Sequence, residues 1–160
     1  MMTEKISLPD RTAGFTLVEL MVTVLIGAIL LGIAIPSYSS SVRKSRRTDA
    51  RNAVLDLAAR EERFFSTANS YTNDPASLGY NAFGAGTPIG SGYYYLLTPV
   101  IVTGDPTQIP PVLAGYTITA TATGSQVKDT ACASFTINQI GKQSSLDSGG
   151  ADSTATCWGN

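Results

Sequence analysis

With 160 residues and 14% of them charged, the chain has room for one modest domain plus an appendage. It is far less charged than an ordinary soluble domain, at roughly 25%. A formal net charge of −1 gives no overall attraction to nucleic acid or acidic lipid. The absence of histidine removes the usual near-neutral acid–base group and the commonest metal ligand. With no nucleophile–base pair, phosphate loop or paired carboxylates in view, an enzyme is not expected, nor a cofactor or a metal site.

Residues 1–14 are polar, with Lys5 and Arg11 offset by Glu4 and Asp10. From Phe15 to Ile35 the sequence carries one charge, Glu19, over a length that matches the roughly 20 residues of a membrane-crossing helix. A secretory signal peptide would be shorter in its apolar part and followed by a small-residue cleavage site. Pro36 closes the segment, but helical periodicity resumes after it. Ala50, Ala53, Val54, Leu57, Ala58, Glu61, Phe64 and Phe65 fall at i, i+3, i+4 spacing, while Arg47, Arg51, Arg60 and Arg63 are assigned to the opposite face. If Pro36 only kinks the helix, it runs from about Phe15 to Ser66, roughly 78 Å at 1.5 Å per residue. The remaining domain is too small to cover such a length, so its first half must be buried in lipid or in other subunits.

Beyond Ser66 the composition turns to Gly, Pro, Ser, Thr and Asn. Residues 67–92 read as a loop, with Asn73-Asp74-Pro75 and several glycines as breakers. Strands are expected at Tyr93–Thr98, Gly115–Thr123, Cys132–Gln139 and Thr154–Trp158, with a long turn around Gly104-Asp105-Pro106 and Pro110-Pro111. The fold class is therefore α+β: a long N-terminal helix, membrane-spanning in its first half, packed against a small antiparallel sheet. Cys132 and Cys157 are too few and too far apart for zinc. In an exported chain they read as one disulfide, two unrelated buried thiols being the alternative.

Glu19 is the most informative residue. A carboxylate five residues into an apolar span costs a few kcal/mol and calls for a partner or a task. No basic residue lies between Phe15 and Pro36. Cutting the chain before Phe15 would create an amine one helical turn from Glu19, and stacked copies could pair one subunit's amine with another's carboxylate.

Gly14-Phe15-Thr16-Leu17-Val18-Glu19-Leu20 and the apolar stretch to Pro36 resemble the processing signal of type IV pilins and of type II secretion pseudopilins. The resemblance implies a leader at 1–14, cleavage between Gly14 and Phe15 by a prepilin peptidase, and N-methylation of Phe15. It implies filament-assembly roles for Glu19 and Pro36, a hydrophobic assembly helix at 15–36, an amphipathic continuation at 37–66, and a loop, sheet and disulfide-closed region at 67–160. Glu62-Arg63-Phe64-Phe65, Tyr71-Thr72, Leu78-Gly79-Tyr80, Phe135–Gly141 and Cys157-Trp158 are similar to PilE-like minor pilins. The implied partners are other pilin subunits, the prepilin peptidase and an inner-membrane assembly platform. The implied location is the inner membrane, single-pass with a periplasmic C-terminal part, and then the extracellular pilus.

Two alternatives stand beside a filament subunit. A DNA-binding minor pilin would need a basic strip, yet Lys128 and Lys142 are the sole basic residues after Arg63. A type II secretion pseudopilin is the other; some of that group bind calcium through a C-terminal loop, for which Asp147 and Asp152 offer too few oxygens. Charge counting adds a conflict: five positives within Arg43–Arg51 against a nearly neutral leader would place the C-terminal part in the cytoplasm. The processing signal and the cysteine pair point to the other side.

Overall fold

The computed structural model describes residues 14–159. The leader assigned to residues 1–14 therefore lies, except for Gly14, outside the described residues. The chain divides into two compact units, Met1–Ser39 and Ser40–Asn160. One helix, α1 (Leu17–Ala68), contributes to both.

Within the first unit, α1 begins two residues later than periodicity suggests, because Thr16 caps it. The Thr16 hydroxyl accepts the backbone N–H of Glu19 at 3.2 Å. That is half of a capping box, Thr-x-x-Glu, which satisfies one of the four orphan donors of a helix start. Pro36 sits inside α1 rather than ending it. It cannot donate to the carbonyl of Gly32, so the helix ladder lacks one bond at this point.

The second unit packs the later part of α1 on an antiparallel sheet. Ala50, Val54, Leu57, Ala58 and Glu61 are buried, as their spacing foretells, and Ala53 and Phe64 pack at the margin. Arg47 departs from expectation. It was assigned to the open face, yet it is 9% exposed. Seven residues before Val54, it lies two turns along the same buried stripe, and its charge is neutralised there by a partner from the sheet side.

The strands are β1 (Pro88–Ile89), β2 (Tyr94–Leu96), β3 (Val100–Val102), β4 (Gly115–Ala122), β5 (Ser134–Asn138) and β6 (Gln143–Leu146). Their order is β1-β2-β4-β5-β6, and β3 pairs with β4 beside β2. Strands β2 and β3 form one interrupted strand. Leu96 faces Ala120 and Val100 faces Thr117, so Leu97, Thr98 and Pro99 stand opposite Ile118 and Thr119. Pro99 has no N–H for the ladder, and the extra residue is absorbed as a bulge.

Alternation on the sheet sends Tyr94, Leu96, Tyr116, Ile118, Ala120, Phe135 and Ile137 into the core against α1. Tyr94 meets Phe135 edge-on at 5.9 Å, and Phe135 meets Trp158 at 5.8 Å. Three further corrections follow. Thr154–Trp158 is a short helix, α2, not a strand; it ends at Gly159 in the left-handed region, φ 79°, and turns Cys157 and Trp158 inward. Strand β6 arises from the polar run Gln143–Leu146, paired to β5 across a turn at Gly141, φ 73°. The loop at 67–92 contains a 3-10 turn, Ala76–Leu78, and the short β1.

Candidate functional site

The residues singled out in the sequence do not converge on one cavity. Gly14 and Phe15 precede the helix and are exposed, Phe15 at 76%. Glu19 lies in the first turn of α1, where the partial positive charge of the helix start favours a carboxylate. Every large apolar side chain from Phe15 to Ile35 is at least 48% exposed. This stretch is long and apolar enough to cross a membrane, with none of its most apolar window buried. Left in water it would be an aggregation site, so it must be covered by lipid or by like helices. The Thr16 cap was the signal sequence reading missed, legible as Thr-x-x-Glu ahead of an apolar run.

In the second unit, the basic residues of α1 have specific work. Arg47 donates from Nε to Asp129 Oδ2 at 2.7 Å and from a terminal nitrogen to Oδ1 at 2.8 Å, a buried bidentate pair. The bond to Asp129 raises the Arg47 pKa against the opposing effect of burial. Gln126 is fully buried beside it. Its Nε2, with two N–H groups shared among three acceptors, lies 3.1 Å from Asp129 Oδ2, 3.1 Å from the Tyr94 hydroxyl and 3.0 Å from the Arg43 carbonyl. Burial pushes the Tyr94 phenol up to about 12, partly offset by Gln126. Arg46 lies over the Tyr93 ring at 3.4 Å and donates to Ser125 Oγ at 3.2 Å. Two of the five positives in Arg43–Arg51, Arg46 and Arg47, are thus engaged as folded-state fasteners.

The loop after α1 is tied down along the helix. Asp49 accepts from the Ser91 hydroxyl. Asp56 accepts from the Tyr80 hydroxyl at 2.8 Å and from Arg60 Nε at 2.8 Å. Burial opposes ionisation of Asp56, but Tyr80 and Arg60 together hold its carboxyl below the usual range. Arg60 also donates to the Leu78 carbonyl at 3.0 Å. Apart from the i,i+4 pair Asp56–Arg60, these partners were not identifiable from sequence, because they lie 18–42 residues apart.

Cys132 and Cys157 are joined in a disulfide, with Cα atoms 5.8 Å apart, tying the approach to β5 to α2. The Asp147–Asp152 loop uses its carboxylates locally. Asp147 Oδ1 accepts the N–H groups of Gly149 and Ala151, and Asp152 Oδ1 accepts from Thr154. Among the described residues no cluster of three potential metal ligands forms.

Comparison with known proteins gives this arrangement its class. Residues 10–35 match the prokaryotic N-terminal methylation motif. Residues 36–136 match the family described as type IV minor pilin ComP, DNA uptake sequence receptor. That match covers more than half of the chain, and the chain belongs to this type IV minor pilin family.

The chain is 34% identical over 70 residues to the type IV major pilin protein PilA of Myxococcus xanthus (strain DK1622), covering 44% of this chain and 32% of that protein. It is 52% identical over 40 residues to prepilin peptidase-dependent protein D of Escherichia coli (strain K12), covering 25% and 27%. It is 33% identical over 69 residues to fimbrial protein EcpC of Eikenella corrodens, covering 43% and 45%. The matched stretches thus span less than half the length of these relatives.

Proposed function

We propose that the protein is a structural subunit of a type IV pilus, acting by polymerisation rather than catalysis. The observation that carries this reading is the methylation motif over residues 10–35, which runs into the first part of α1, where every large apolar side chain up to Ile35 is exposed. Residues 1–14 act as the leader, and a prepilin peptidase cuts between Gly14 and Phe15 and methylates Phe15. The exposed, non-helical approach at 14–16, ahead of the first helical turn, leaves the proposed cut site accessible to a peptidase. Residues 15–36 hold the subunit in the inner membrane, with the second unit periplasmic, where a disulfide persists. An assembly platform then transfers the helix from lipid to a bundle of like helices, and Glu19 attracts the Phe15 amine of a neighbour. Pro36 provides the weak point of the helix ladder during that transfer. The subunit serves as a minor component alongside other pilins.

Glu19→Ala is expected to leave processing intact and to reduce incorporation into sheared surface fibres by about thirtyfold or more, since truncating one partner of a buried charge pair costs at least about 2 kcal/mol. Mature-length subunit incorporated at the wild-type level would refute the pairing.

The family description supports a second reading, DNA binding during uptake. Lys128 and Lys142 are the exposed cations the sheet side supplies. If they contact phosphates, the affinity of the full-length protein in detergent for duplex DNA should fall with salt at a slope of about −2 on log–log axes. Lys128→Ala with Lys142→Ala should flatten that slope. Absence of salt-sensitive retardation would remove this reading.

A further inference from the structure

Glu61 is 0% exposed, and of its two oxygens one, Oε2, has a donor, the backbone N–H of Thr72 at 3.2 Å. Oε1 is buried without a hydrogen-bond partner. The next residue, Glu62, accepts from the Tyr71 hydroxyl at 3.2 Å and also interacts with Tyr116 on β4. Two adjacent carboxylates therefore seat one segment, Tyr71-Thr72, where the chain turns back after α1.

That segment has structural reach. Tyr71 stacks on Phe65 at 4.6 Å and meets Tyr116 edge-on at 4.9 Å. It also walls an apolar groove of about 360 Å³ shared with Ile101, Val102 and Leu113. Moving residues 71–72 would reshape the groove.

We propose that Glu61 makes this seating proton-linked: the Tyr71–Thr72 clamp is tight while Glu61 is neutral and loosens when Glu61 ionises. A buried carboxylate with an orphaned oxygen has a natural place for a proton, whereas a buried charge with one hydrogen bond is poorly compensated. The groups facing it are Glu62 from α1, Tyr71 and Thr72 from the loop, and Tyr116 from β4. None is cationic, and the nearby Arg60 is engaged by Asp56 and the Leu78 carbonyl. Burial raises the Glu61 pKa, the Thr72 N–H opposes the rise, and the Glu62 charge adds to it. Opening hydrates the carboxylate and returns it toward its ordinary value near 4.5. The closed clamp therefore has its full proton-linked stability below that value, and loses it as pH rises through the higher value of the closed state.

Amide hydrogen exchange on the full chain in detergent, from pH 4.5 to 8 and corrected for intrinsic exchange, tests this. Protection of Tyr71–Asn73 in the wild type is expected to fall by about threefold or more across the range. Glu61→Gln should keep the acid-side protection throughout, and Glu62→Gln, which removes one of the contributions that raise Glu61, should weaken the pH response without abolishing it. Wild-type protection that does not change with pH would overturn the proposal. So would a response that survives Glu61→Gln or disappears in Glu62→Gln, and the wild-type and Glu62→Gln profiles decide if Glu61→Gln does not fold.

Discussion

Arg47→Ala is expected to destabilise the second unit by about 3–5 kcal/mol, the cost of leaving a buried charge without its partner. Asp129, 6% exposed, would keep its carboxylate beside Gln126 with two charge-assisted hydrogen bonds gone. Urea denaturation of the full chain in detergent would read this as a lower midpoint with an unchanged slope. The double substitution Arg47→Met with Asp129→Leu separates the value of the pair from the penalty of breaking it. Well-packed apolar replacements of a buried pair are often neutral or stabilising. The double variant should therefore recover most of the loss, and a double variant as unstable as Arg47→Ala would show that the fastening needs the charges themselves. A midpoint unaffected by Arg47→Ala would refute the assignment of Arg47 as a fastener.

Removing the Cys132–Cys157 bond by Cys132→Ala with Cys157→Ala should cost about 2–5 kcal/mol, and the chain-entropy estimate for a loop of this length is about 3.5 kcal/mol. The bond anchors α2, whose Trp158 packs on Phe135 and donates from Nε1 to the Ser144 carbonyl at 3.0 Å. Trp158 is the single tryptophan of the chain, so its emission reports directly on this corner. The expected result is a lower thermal midpoint together with a red-shifted Trp158 emission well below that midpoint. Reducing agent should do the same to the wild type. An unshifted emission and an unchanged midpoint would mean that packing alone holds α2.

How much of this was legible depended on the range over which each residue is specified. The α1 stripe from Ala50 to Glu61 was readable because helical burial repeats locally, and β4 because Tyr116, Ile118 and Ala120 alternate with threonines. Glu19 stood out as a lone charge, whatever the tertiary structure. Arg47 was misread because its character said surface while its phase on the helix said core, and the deciding partner, Asp129, lies 82 residues away. Strand β6 has no apolar alternation; its neighbour β5 and the turn at Gly141 define it. The segment Thr154–Trp158 is too short for period to separate helix from strand, and its helical form follows from turning Cys157 and Trp158 inward together. Glu61 was seen as the one polar position on the stripe, but its neighbours at 71–72 and on β4 depend on the returning chain.

The two flanks of the sheet have a consequence for how copies can join. On one side β1 is two residues long and begins with Pro88. On the other, β6 is shielded by the returning tail: Ser153 donates its N–H to the Ser145 carbonyl at 2.9 Å, and Asp152 bridges to Leu146. Unpaired strand borders are templates for adding strands from other molecules; the β1 and β6 borders are blunted, while β3, paired with β4 alone, keeps one short border open. In the filament subunit proposed above, copies would therefore join less readily through the β1 or β6 border than through side-chain surfaces.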